Sequence, residues 1–230
     1  MAFTQKQRYD MQDLLDIVAL LRDPDHGCPW DKVQTHASIR KNFIEETYEV
    51  ADAIDQADAH LLCEELGDVL LQVALHTRME EETGAFTFED VCTGICEKLV
   101  YRHPHIFGTV RADDEGTVLK NWEELKREEK ARQSLADDLA SVPAALPALM
   151  RAQKVLKRAG ARGIGPASTD EAQALLDKAA DALGKAPGEE ALGQVLLAAC
   201  AVAQLSGQDA EQALTRAAGD FARDAVERQD

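Results

Sequence analysis

A chain of 230 residues is long enough for one large or two small domains. Its 25 Lys plus Arg against 42 Asp plus Glu leave a formal net charge of −17, which argues against extended contact with nucleic-acid backbone or an anionic membrane surface, because both repel it. Hydrophobic residues at 45% support a real core and exclude wholesale disorder, and aromatics at only 5% beside abundant Ala favour helices over sheets.

Helical periodicity dominates, with no convincing strand alternation. The first stretch, MAFTQKQRYDMQDLLDIVALL, has its best apolar run broken by Asp10, Asp13 and Asp16, so neither a signal peptide nor a membrane span is expected. A helix is predicted near 8–23, then the turn-rich DPDHGCPWDK, then helices near 36–57, 59–83 and 86–103. A loop with His103, Pro104, His105 and Gly108 leads to a short helix near 116–133. Residues 134–147 read as a linker with Pro143 and Pro147 as stops. A helix near 147–160 precedes GARGIG, and Ala-rich helices follow near 168–184, 188–206 and 208–229. The five cysteines, without a C-x-x-C pair, read as reduced thiols of a cytoplasmic protein and not as a disulfide framework or zinc site.

A weak internal repeat links the halves. EELGDVLLQVALHTR at 64–78 and EALGQVLLAACAVAQ at 190–204 share a Gly followed by Val-Leu-Leu. That suggests a duplicated helical unit, and two four-helix units suit the length.

Residues 45–90 hold fourteen Asp or Glu and one Lys or Arg, Arg78. A solvated face is the ordinary explanation of such a run, and helical geometry argues against it here. On the helix from Leu61, apolar residues cover most of the circumference, while Glu65, Asp68, Gln72 and His76 fall in one stripe. That helix should be buried nearly all round, its stripe pointing inward or into a cleft, with Glu64 facing solvent. Buried carboxylates persist only when cations or donors compensate them. On the preceding helix Phe43, Thr47, Val50, Ala51 and Ile54 form the expected apolar face, with Glu46 flanking it, Glu49 further round and Glu45 furthest away. The short link around 57–60 makes the two helices antiparallel neighbours, so Glu46, Glu49, Glu65 and Asp68 should meet. Such hard oxygen donors suit Mg²⁺ or Mn²⁺. Di-iron bundles want Glu-x-x-His pairs, which neither helix has.

Basic residues gather further on. Lys98 and Arg102, four apart on one helix, could grip phosphate oxygens or simply pair with surface acids. Trp122 and Lys126 repeat that spacing on the next helix, and Trp30 sits in a loop. Either tryptophan could stack on a base or serve as plain packing.

Glu45-Glu46-x-x-Glu49 followed by Glu65-x-x-Asp68 resembles the signature of the MazG family of nucleoside triphosphate pyrophosphohydrolases, within the all-α NTP pyrophosphatase superfamily. GCPWDKVQT, EKLVYRHPHIFG and NWEELKREE resemble MazG segments, and LPALMRAQK resembles the join between tandem MazG domains. The resemblance implies an all-α fold of tandem four-helix-bundle units: a catalytic domain at 1–133, a linker at 134–147 and a degenerate domain at 148–230. It implies a Mg²⁺-dependent homodimer that cleaves NTP or dNTP to NMP and pyrophosphate, for nucleotide-pool cleaning or control. Glu46, Glu49, Glu65 and Asp68 become metal ligands. Glu45 is a further candidate, and Glu45 or Glu49 could steer the attacking water. Lys98, Arg102 and Lys126 match triphosphate-holding positions, Trp122 the position near the base, and Trp30 more loosely so. A related enzyme for dUTP or phosphoribosyl-ATP and a non-catalytic nucleotide-binding regulatory module are the rival readings.

The second copy departs from the pattern. Ala191 and Gln194 stand opposite Glu65 and Asp68, and Ala198 and Val202 replace Gln72 and His76. Lys178 and Asp181 fall opposite Glu46 and Glu49, while Asp220 and Asp224 oppose Lys98 and Arg102. Catalysis is therefore expected only in the N-terminal copy.

Overall fold

A computed structural model describes residues 4–108, 125 and 134–228, all helix, turn and loop with no strand among them. The predicted helix near 116–133 lies outside the described residues except for Leu125, which is helical. The chain forms two compact units.

The first unit begins with α1 (Met11–Leu21), started by a reciprocal capping box between Asp10 and Asp13. A 3₁₀ turn at Asp31–Val33 follows. Helix α2 (His36–Asp55) is capped by Thr35 and Ser38, and α3 (Ala59–Thr83) by Asp58. Gly84, at φ 74°, ends α3 in the left-handed conformation that glycine adopts without strain. Helix α4 (Phe88–Arg102) starts from a Thr87–Asp90 box. The expected 103–108 loop contains a single helical turn, α5 (Pro104–Phe107), because Pro104 at its first position suits a helix start.

The three-residue link at 56–58 folds α2 back against α3. Their junction with α1 makes the core of Val18, Ile39, Ala74, Leu75 and Met79, flanked by Leu14, Leu15 and Leu71. Ile39 and Val18 are essentially fully buried, each contributing about 1.5–3 kcal/mol. This core covers only the C-terminal half of α3, where Gln72, Ala74, Leu75, Thr77 and Met79 are buried. Leu66 is 50% exposed, so α3 is not enclosed along its length as its composition suggested. The reason is length: α1 has 11 residues to α3's 25, or about 16 Å against about 38 Å. The carboxylate-bearing half of α3 stays open.

In the second unit, the stretch expected to be a linker carries a short helix, α6 (Leu135–Ala140), started by a Ser134–Asp137 capping box. It is tied to α7 (Ala148–Gly160) by Arg158 on the Asp138 carbonyl and the Ser141 hydroxyl, and to the turn after α7 by Arg162 on the Asp138 carboxylate at 2.8 Å. Helices α8 (Thr169–Lys185) and α9 (Glu189–Leu205) form an antiparallel pair. Ala198, Cys200 and Ala201 of α9 are buried. Helix α10 (Ala210–Glu227) closes the unit, its first amide donating to Gln153 Oε1 at 2.9 Å. Gly67 and Gly193, which define the repeat, both sit on the second helix of their unit's antiparallel pair. No single helix among the described residues is long and apolar enough to cross a membrane. The consecutive pair α9 and α10 passes that test only when taken together, and it is bent by 110°.

Candidate active site

Helix α2 turns Ile39, Phe43, Glu46, Val50 and Ala53 towards α3; Ile39 and Ala53 are buried and the other three partly buried. Their spacing of four, three, four and three residues is that of a helix seam. Glu46 therefore lies within the inner face, not beside it, whereas Thr47, Ala51 and Ile54, expected inside, are exposed. On α3 the facing seam carries Glu65, Asp68 and Gln72, and Glu64 is exposed as expected.

Carboxylate oxygens of Glu46, Glu49 and Glu65 come within 4.8 Å of one another. Burial is the main cause that raises the Glu46 carboxyl above its ordinary range, followed by its hydrogen bond with Glu49 and the charges of Asp68, Glu49 and Glu65. Glu65 is raised by burial, then by Glu49, Asp68 and Glu64. Asp68 thus acts electrostatically on the cluster without belonging to the tight trio. Oxygen donors of one sign, none neutralised by a basic side chain among the described residues, fit a hard divalent cation. Glu45 takes no part in the trio: it receives Lys41 Nζ at 2.8 Å on the outer side of α2.

Lys98 is exposed on α4, whereas Arg102, one turn on, is 8% exposed. The two are a turn apart but differently placed with respect to solvent. Trp30 is 55% exposed, in the loop before the 3₁₀ turn. Arg22 holds that loop to the C-terminal end of α3, with its guanidinium on both Glu82 oxygens at 2.9 and 2.8 Å and on the carbonyls of Asp31 and Gln34. Trp122 and Lys126 lie outside the described residues.

The MazG nucleotide pyrophosphohydrolase domain matches residues 34–107. A nucleoside triphosphate pyrophosphohydrolase of Escherichia coli K12 is 42% identical over 219 residues, covering 91% of this chain and 83% of the relative. This chain belongs to the MazG family. A Thermotoga maritima relative, named nucleoside triphosphate pyrophosphohydrolase/pyrophosphatase MazG, is 35% identical over 214 residues, covering 91% of this chain and 82% of its own length. An uncharacterized Bacillus subtilis protein, YabN, is 50% identical over 151 residues, 65% of this chain and 30% of that protein. The matched MazG segment contains the whole carboxylate set together with Lys98 and Arg102.

Sequence reasoning did not find the polar group two turns along the same MazG helix pair. His36 Nε2 donates to Glu80 Oε1 at 2.7 Å, and a second hydrogen bond of 2.7 Å joins His36 Nδ1 to His76 Nδ1. Burial, then the neighbouring His36, lowers the His76 pKa. His36 and His76 are forty residues apart, so no local spacing announces their meeting. His76 did stand on the polar stripe of α3, and that was the one available signal.

Proposed function

We propose that the first unit hydrolyses nucleoside triphosphates between the α and β phosphates, releasing nucleoside monophosphate and pyrophosphate. The observation that carries this reading is the Glu46–Glu49–Glu65 trio on the α2–α3 pair, inside the MazG match. Its donor chemistry favours Mg²⁺, with Mn²⁺ as a substitute. Such a cation, when bound, neutralises phosphate charge and lowers the pKa of a coordinated water. Glu46, Glu65 and Asp68 hold it from the inner faces of the two helices. Glu49, exposed and within the trio, is better placed than Glu45 to orient the attacking water, because Glu45 is engaged outward with Lys41. Lys98, Arg102 and Lys126 receive the triphosphate, and Trp122 or Trp30 contacts the base.

The second unit is non-catalytic in this reading, since Ala191 and Gln194 replace the metal-facing acids. A homodimer is supported by the apolar row Ile95 and Leu99 on α4, spaced by four and 47% and 46% exposed among the described residues. The free thiols of all five cysteines suit a reducing cytoplasm.

The decisive experiment is product analysis with Mg²⁺ and a panel of NTPs and dNTPs, wild type beside Glu65→Ala. NMP and pyrophosphate from the wild type, reduced about 10²–10³-fold in the variant, is the expected result. NDP and phosphate would overturn the α–β assignment, and nucleotide binding without turnover would favour a regulatory module.

A further inference from the structure

A shallow cavity of about 400 Å³ opens on the first unit along the same α2–α3 pair that carries the carboxylate trio, further towards the C-terminal end of α3. His36, Phe43, Val73, His76, Phe86 and Val91 supply most of its wall. The ring planes of His36 and His76 are within 5° of parallel, with centroids 5.0 Å apart. Their Nδ1 atoms are 2.7 Å apart. That centroid separation is the nitrogen–nitrogen distance plus the two ring radii, so the imidazoles lie end to end in one plane. One N–H···N bond thus welds them into a single flat plate, fixed at one end by Glu80 and braced by the edge of Phe43, whose ring meets His76 at 74°.

The placement on the helices is as informative as the wall. His76 stands eight residues beyond Asp68 on α3, about 12 Å along the axis. His36 stands ten residues before Glu46 on the antiparallel α2, so both lead from the carboxylates towards the same end. Between Asp68 and His76 lies Gln72, 6% exposed, whose Oε1 has no hydrogen-bond partner. A buried carboxamide oxygen is rarely left unsatisfied without a role. Among the described residues the cavity wall has no Lys or Arg, and its one carboxylate there, Glu80, is taken by His36. Its chemistry suits a planar, uncharged group attached to something the carboxylates and their cation would hold.

We propose that this cavity seats the nucleobase of the substrate, with the coplanar His36–His76 plate as its stacking surface and the buried Gln72 between that plate and the carboxylates. The proposal rests on the pyrophosphohydrolase reading. The base-contacting surface then includes residues of α2, α3 and the start of α4 beside the tryptophan of that reading.

Steady-state kinetics of the full-length chain on ATP, GTP, CTP and UTP test this, comparing wild type, Val91→Trp and His76→Ala. Val91 is 38% exposed, so the bulky replacement narrows the mouth without disturbing the core. The expected result is a KM for the two purine nucleotides raised about tenfold or more in Val91→Trp, with a smaller rise for the pyrimidines and kcat kept. His76→Ala should lower kcat/KM for all four by about tenfold, through KM, and flatten the ranking of bases. Unchanged KM and ranking in folded Val91→Trp would overturn the proposal, as would a ranking that shifts with Trp122→Ala but not with Val91→Trp. Wild type that makes no NMP and pyrophosphate from any of the four would instead overturn the reading on which it rests.

Discussion

The Glu46 carboxyl faces α3 with Glu49 and Glu65 beside it, and burial together with their charges holds it above the usual carboxylate range. A group with a raised folded-state pKa stabilises the fold below its ordinary pKa and loses that contribution as pH rises through the raised value. Without a cation, the ionised trio therefore opposes folding at neutral pH. Glu46→Gln should abolish most turnover yet raise the melting temperature in EDTA by about 2–4 °C at pH 8. That advantage should shrink as the solution is acidified and wild-type Glu46 takes up its proton, and it should shrink at pH 8 when Mg²⁺ is added. Comparing variant with wild type removes the contribution of His76, whose lowered pKa works the other way: its stabilisation is lost as pH falls below the ordinary histidine range. An advantage that grew on acidification would contradict this account.

At the scale of elements, Arg22 joins three pieces that no sequence periodicity connects: the end of α1, the 3₁₀ turn and the last turn of α3. Its side chain is 5% exposed and satisfied by Glu82 and two carbonyls. Arg22→Ala would strip the Gln34 carbonyl of its side-chain donor and leave Glu82 only Arg78, at 3.3 Å, and losing hydrogen bonds to a charged group costs about 1.5–3 kcal/mol. Equilibrium urea denaturation should register a loss of that size, and a change below about 1 kcal/mol would mean that water substitutes for the guanidinium. The adjoining turn is held just as closely by backbone. A Cβ on Gly27 would come within 2.5 Å of the Leu21 carbonyl oxygen and 2.4 Å of that of Asp23, so only glycine fits there. At Gly67 and Gly193, which anchor the repeat, a Cβ would meet nothing within 4 Å, and nothing among the described residues explains those glycines.

For the whole molecule, the chemistry is assigned to one unit and the apolar α4 row to self-association. Ile95→Glu should convert a dimer to monomer in sedimentation velocity, because a charge would have to be buried in the apolar contact. If the wild type itself sediments as a monomer, the α4 row has some other use. Gln194→Ala, at the position opposite Asp68, should leave kcat/KM within about twofold of wild type, as expected of a surface change in a non-catalytic unit. A loss comparable to that of Glu65→Ala would show that the second unit takes part in catalysis.

The helix order, the duplicated unit and the residues of the carboxylate trio were legible because each depends on local spacing: capping residues mark helix starts, and seven-residue seams bring Glu46, Glu49 and Glu65 to one surface across a three-residue link. The extent of burial was not legible, since whether a helix is enclosed depends on how long its neighbours are, and α1 covers only half of α3. The 134–147 stretch looked like a linker because its prolines are visible in sequence and its Arg158 and Arg162 partners are not. By itself the chain's sequence determined an all-helical protein with one acidic, cation-suited helix pair and a second pair stripped of those acids. Only the tertiary structure decided that Glu46 sits within the inner face and that His36 and His76 form one plate, because pairing of distant residues is set by packing and not by spacing along the chain.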